Sequence, residues 1–458
     1  MKNKKNIRSW KLMQKGIQIK FFKYPGLDSN LQPLAFSFEP PVSSLQSPAS
    51  NLQLPASVVI VLFLLFTIHL NAQQLDSYLQ IAEENNPEIR AFNLRHDIAE
   101  EKVKEVNTYP DTEFGVGYFV SEPETRVGAQ KARFSIRQMI PWFGTITARE
   151  NYAVSMADAE YVEIAIARRK LKLSVAEAYY RLYAIEAKQK VLDENIGLLE
   201  TFHELALNSL EVGSASAVDV LRLQMRQNDL YQQKENLVLE LVAGKTQFNN
   251  LLNRESLATV EVMDSLWIPQ EESTDKIEVE TIHPELLKFD KLYESVAEAE
   301  ALNQKDAAPK LGFGMDYINV AERTDMMLTD NGKDILMPMV SVSIPIFNNK
   351  YKSVSRQNEL RQQELQSQKE QRFNMLESRL EEALSGRASA KIAAATFLKN
   401  IEQANDAEEI LIKNYETGTI DFNDVLDIQE LQLKFQVGFI EAIKNYYQQA
   451  ALVNYLSN

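Results

Sequence analysis

The sequence predicts a mainly α-helical chain with a small β portion, built as a tandem repeat in which a pair of strands leads into a long coiled-coil helical hairpin. Three observations predict it. Two distant stretches match in order: Asn86-Pro87-Glu88-Ile89 is answered by His283-Pro284-Glu285-Leu286, and Val212-Gly213 with Asp219-Val220-Leu221 by Thr417-Gly418 with Asp424-Val425-Leu426. Proline-bounded segments of alternating hydrophobicity follow each start. Beyond them, two long stretches hold no proline at all, about 147–210 and about 350–414.

The strands come first. Pro110 precedes Phe114, Val116, Tyr118 and Val120, which share one face, with Gly115 and Gly117 opposite. The second strand places Ala132, Phe134 and Ile136 against Arg133, Ser135 and Arg137, and ends at Ile140-Pro141-Trp142-Phe143. In the second half Pro309 precedes Leu311, Phe313, Met315 and Tyr317. Leu336, Pro338, Val340, Val342 and Ile344 follow on a fourth strand that ends at Ile344-Pro345-Ile346-Phe347. A membrane barrel and a soluble sandwich both give this pattern.

Helix length separates the two. Leu171, Val175, Ala178, Leu182, Ile185, Leu192, Ile196 and Leu199 fall on a heptad seam, within a rod on the order of 100 Å long. Its counterpart is rich in Gln, Glu and Ala. Each rod reverses at a glycine turn, Gly213 or Gly418, and returns as a shorter helix, from Val218 to about Leu252 and from Phe422 to about Tyr447. Such hairpins are too thin to enclose a compact enzyme core. Four strands cannot close a barrel, since eight is roughly the smallest closed count in an outer membrane. Three copies supply about twelve, and a homotrimer also removes the open edges.

Residues 1–72 read as an N-terminal extension and signal peptide: the apolar run Val58–Phe66 is short for a bilayer span and precedes Leu70-Asn71-Ala72. A membrane anchor is the alternative for that segment. Residues 73–281 form the first repeat and 282–458 the second. The first 72 residues hold eight Lys or Arg and two Asp or Glu, so the remainder, at −21, is more acidic than the whole chain at −15. That excess of negative charge disfavours nucleic acid as a partner. With no cysteine in 458 residues, disulfides and thiol chemistry are excluded. His96, His203 and His283 lie far apart and read as helix-surface or cap residues, and Glu381-Glu382 and Glu408-Glu409 as solvated helix faces. No enzyme, cofactor or metal site is expected, and the loop methionines Met326 and Met327 are not assigned a metal.

Taken together, the tandem repeat, the Asn-Pro-Glu-Ile and His-Pro-Glu-Leu starts, the proline-bounded strands and both glycine turns resemble the outer-membrane efflux proteins typified by TolC, across roughly residues 75–455. The resemblance implies a trimeric twelve-stranded barrel in the outer membrane, continuous with an α-helical tunnel in the periplasm. Its function would be that of a passive export duct in a tripartite efflux pump or type I secretion system, contacting outer-membrane lipid and partnered by a periplasmic adaptor and an inner-membrane pump. Residues 252–281 and the C-terminal residues would form an equatorial girdle. The turn Tyr415-Glu416-Thr417-Gly418-Thr419, followed by Asp424 and Asp427, would form the periplasmic entrance, with the two carboxylates three residues apart on one helix face. In three copies they would attract cations and bind polyvalent ones. Read from residues alone, Asp424 could equally cap or solvate a helix start. In the first repeat Asp219 matches Asp424 but Arg222 stands in place of Asp427, implying a gating tether from Asp219 and Arg222. Gly213, Gly418 and Thr419 mark hairpin tips that would meet the adaptor. The competing reading is a secreted periplasmic coiled-coil scaffold or adaptor protein.

Overall fold

The computed structural model describes residues 73–211, 216–269, 283–325, 327, 329–347, 349–416, 419–420 and 422–457. The leader, Gly213, Gly418, Met326 and the acidic end of the 252–281 segment lie outside them. The order of elements is α1 (Gln73–Asn85), α2 (Pro87–Val106), β1 (Thr112–Tyr118), β2 (Glu124–Thr125), β3 (Gly128–Ile140), α3 (Thr145–Glu211), α4 (Ala217–Leu251), α5 (Pro284–Asp306), β4 (Lys310–Val320), β5 (Ile335–Ser343), α6 (Lys350–Glu416) and α7 (Phe422–Ser457).

Two features differ from the sequence-based expectation. A short fifth strand, β2, pairs with the start of β3; the Thr125 hydroxyl donates to the Gly128 carbonyl at 2.7 Å, and Gly128 takes φ +136°, a backbone that other residues rarely adopt. Helix α7 runs ten residues past Tyr447. It has no breaker there, and its last turns bury Val453, Tyr455 and Leu456 against Leu286, Leu376 and Leu380.

The strands form one antiparallel layer in the order β1-β3-β4-β5. Register carries the apolar faces of all four long strands onto one side: Phe114–Ile136–Met315–Pro338 is one row and Val116–Phe134–Tyr317–Leu336 the next. That side is uncovered, with Phe114 78 % and Val340 70 % exposed. Among the described residues no helix packs extensively on the sheet. The opposite side holds the rows Gly115–Ser135–Asp316–Met337 and Glu113–Arg137–Gly314–Met339. Its glycines make room for neighbours to lie down across them: a Cβ on Gly312 would meet Ser341 Oγ at 2.3 Å and Met139 Sδ at 2.7 Å.

Helix α3 touches α1, α2, α4, α5 and α7, while α6 is held by α5 and α7. The seam read from the heptads is buried throughout. Its first half packs on Phe248, Leu252, Val260, Ala82 and Ile89, its second on Val220, Leu223, Leu230, Val425 and Leu433.

The two matching starts make matching joints. The Asn86 side chain caps α2, accepting from the N–H groups of Glu88 (2.9 Å) and Ile89 (3.3 Å), and its amide donates to the Leu251 carbonyl at the end of α4 (3.1 Å). His283 repeats the device. Its Nδ1 accepts from Glu285 N–H (3.3 Å), which leaves Nε2 as the donor to the Tyr455 carbonyl near the end of α7 (3.0 Å). Histidine is a poor isolated cap; here it is fully buried and fixed as one neutral tautomer by its two partners. Glu285 beside it pairs with Arg372 and accepts from the Tyr455 hydroxyl.

Replacing Asn86 by Ala should lower stability by about 1 kcal/mol, the usual worth of a cap. His283→Ala should cost more, about 2 kcal/mol, because the Tyr455 carbonyl is left buried and unpaired. Thermal unfolding in detergent followed by circular dichroism checks both, and equal melting temperatures for wild type and His283→Ala would contradict the joint.

Candidate functional site: the helical-hairpin tips

Both hairpins end at one cluster of apolar contacts. Phe422 packs on Tyr415 (5.0 Å between centroids) and edge-on to Phe202 (5.8 Å), joining the start of α7 to the ends of α6 and α3. Val220 and Leu223 on α4 enter the same core as Val425 on α7. Around it the two returning helices make polar contacts: Arg222 donates to the Asn423 side chain, and Arg226 lies 4.0 Å from Glu430.

The residues singled out from sequence distribute as follows. Asp424 and Asp427 are exposed on one face of α7, in and just past its first turn, while Val425 and Gln429 between and beyond them face inward. A carboxylate in the first turn is also favoured by the helix dipole, so Asp424 supports the helix start while remaining in solvent. Asp219 closes a capping box: its carboxylate accepts from Ser216 N–H (3.2 Å), and the Ser216 hydroxyl accepts from Val218 N–H (3.1 Å). Arg222, one turn on, reaches the residue directly before Asp424. Thr419 closes the end of α6, its N–H and hydroxyl both donating to the Asn414 carbonyl, at 3.0 and 2.8 Å.

Of the histidines, His203 sits 3.3 Å from the Gln224 amide and His96 3.4 Å from Glu100. Among the described residues no group of three or more His, Asp or Glu is arranged to hold a metal ion, and no helix is long and apolar enough to cross a membrane. One expectation fails. Glu381 and Glu382 are solvated, and Glu409 pairs with Lys413 at 2.7 Å, but Glu408 is only 9 % exposed. It lies on the face of α6 turned to α7, where Gln429 and Gln432 reach it; two adjacent glutamates on a helix point about 100° apart, so one faced water and the other the seam.

Two polar arrangements escaped the sequence reading. The extended segment after α4 is laddered onto tyrosines: the N–H groups of Glu261, Met263 and Leu266 donate to the hydroxyls of Tyr78 (3.0 Å), Tyr179 (3.1 Å) and Tyr183 (3.3 Å), and Tyr447 donates to the Trp267 carbonyl. The only sequence signal is the four-residue spacing of Tyr179 and Tyr183. Burial pushes both hydroxyls above the ordinary phenol value, which keeps them protonated. Where α5 meets α6, Glu300 accepts from Ser355 (2.7 Å), Asn358 (2.9 Å), Gln304 (3.2 Å) and Asn303 (3.4 Å). Burial alone would raise this carboxyl; the four donors outweigh it and hold it below the ordinary 4.5.

A long single-layer sheet with an uncovered apolar face, joined to two long helical hairpins, is the fold of the TolC-like outer-membrane channels. The solved channel OprN superposes with TM-score 0.68 at 15 % identity, covering 84 % of this chain and 89 % of that one. VceC from Vibrio cholerae gives 0.67 at 16 % (84 % and 96 %), and the open state of MtrE from Neisseria gonorrhoeae 0.65 at 15 % (84 % and 89 %). No curated protein sequence matches. Residues 78–253 match the family model described as outer membrane efflux protein.

Because the folded Glu300 carboxyl lies below its unfolded value, its contribution is present above about pH 4.5 and is lost as pH falls through the lower folded value. Glu300→Gln should therefore destabilise the protein at pH 7, with the difference from wild type shrinking below about pH 4. Melting temperatures across pH 3–8 check this; a difference that stays constant would refute it.

Proposed function

We propose that the protein is a passive, trimeric outer-membrane duct that carries solutes from the periplasm to the exterior as the exit component of a tripartite efflux pump or type I secretion system. The observation that carries this reading is the sheet. Its rows of Phe, Val, Ile, Met and Tyr are continuous across four strands and have nothing over them among the described residues, while the other side mixes charged and small residues with methionines. In water such a face is a liability; against lipid hydrocarbon it is what a barrel strand requires. The scaffold alternative leaves it exposed.

Three copies, joining the edge of β5 in one to the edge of β1 in the next, close about twelve long strands and leave no unpaired backbone in the membrane. The polar side then faces the lumen, and the hairpins extend into the periplasm as a tunnel. At its tip, six carboxylates from Asp424 and Asp427 form an acidic entrance that favours cations, and Gly213, Gly418 and Thr419 mark the turns that meet a periplasmic adaptor coupled to an inner-membrane pump. Arg222 ties α4 to the start of α7 within one subunit and so steadies Asp424, with Asp219 supporting it by holding the α4 start. The duct performs no chemistry of its own; energy and cargo choice belong to the pump.

Planar-bilayer recording of the mature chain, residues 73–458, should give discrete channels that a trivalent cation blocks from the tip side. Asp424→Asn/Asp427→Asn should weaken that block by tenfold or more, on the order of two lost charges per subunit. Well-folded protein that forms no channels would overturn the duct, and channels blocked equally in the double variant would overturn the acidic entrance alone. Arg222→Ala should raise conductance and the frequency of opening; identical traces would remove its tether role.

A further inference from the structure

Roughly three turns from the tips, the apolar seam between α6 and α7 is interrupted by a buried polar layer. Glu408, 9 % exposed, accepts from Gln432 at 2.8 Å and from Gln429 at 3.3 Å, and Gln432 also donates to Asn405 at 3.1 Å. No Lys or Arg among the described residues lies within ion-pairing distance of Glu408, so a buried carboxylate is held by neutral amides only. Gln429, 5 % exposed, has a side-chain carbonyl with no hydrogen-bond partner among the described residues. It borders a cavity of about 10 Å³ shared with Asn195 of α3 and Arg226 of α4, room for about one water molecule. Asn195 in turn donates to Gln436 of α7 at 3.1 Å. The layer thus crosses from one hairpin to the other.

We infer that this layer is the pivot on which the α6–α7 hairpin repacks when the tip widens. The inference rests on reading the tips as the entrance of the duct. A buried carboxylate held by amides raises the free energy of the closed packing relative to apolar side chains of the same size. It gains when the helices part enough to admit more water. Carboxamides, which donate and accept, also exchange partners along a sliding helix, whereas interlocked Leu knobs hold one register. Toward the tip, the contacts between α4 and α7 include the pairs of Arg222 with Asn423 and Arg226 with Glu430, so motion allowed at the layer is delivered to the acidic mouth. Glu408 is a positioning residue here: it touches no cargo and acts through the packing it weakens.

The test compares wild type, Glu408→Gln and Glu408→Leu/Gln429→Leu/Gln432→Leu in planar bilayers, with melting temperatures in detergent. The apolar layer should melt at the same or a higher temperature while its open probability falls at least tenfold, and Glu408→Gln should fall between. Equal open probability in all three would overturn the pivot. Should the triple variant not assemble, Glu408→Gln decides alone: fewer openings at unchanged or higher melting temperature support the pivot, and unchanged openings overturn it. Wild-type channels serve as the control that separates this outcome from failure of the duct reading itself, which would show as no channels in any variant.

Discussion

Two 67-residue helices without a core of their own impose the constraint from which the other features follow. A rod of that length in water is stabilised only where a narrow apolar stripe meets another helix. In α3 the stripe is wide enough to recruit five neighbours along its length. In α6 it is built largely from small residues, Ala383, Ala390, Ala394 and Ala404 among the buried ones, so α7 approaches closely and supplies the bulk. Gly438 of α7 lies so near the Phe397 ring of α6 that a Cβ there would sit 2.7 Å from it.

With so little apolar surface per helix, polar joints take over the work of a core. Asn86 and His283 each cap the helix that leads into a pair of strands, and each ties it to the end of a returning helix, α4 or α7. The tyrosine ladder does the same for the extended segment after α4, satisfying backbone N–H groups that have no sheet partner. Glu300 and Glu285 hold α5 to α6. These contacts lie away from the hairpin tips, from the sheet-side ends of the long helices to about their middles. The far end relies on one apolar knot around Phe422 and a few exposed polar pairs, and exposed pairs are individually weak.

The sheet follows a different rule. Among the described residues it has no second layer, and its long strands alternate so that their apolar residues share one side. Glycines 115, 312 and 314 lie under side chains from neighbouring strands, which thins that side of the sheet.

The sequence by itself determined the elements that depend on local pattern. The two long rods and the α3 seam from Leu171 to Leu199, the apolar faces of the strands and the start signals at Asn86 and His283 were all legible, because period and capping chemistry act within a few residues along the chain. Boundaries drifted where no breaker stands: α7 continues to Ser457 because its last apolar residues find Leu286, Leu376 and Leu380, partners no local pattern names. Tertiary structure alone decided which polar residues go inside. Glu408 and Glu409 are indistinguishable in sequence, and His283 looked like any surface cap, yet one carboxylate and one imidazole are buried because helices from elsewhere in the chain close over them. Burial of a polar group depends on what arrives from across the fold, and that information is not carried by its neighbours in the chain.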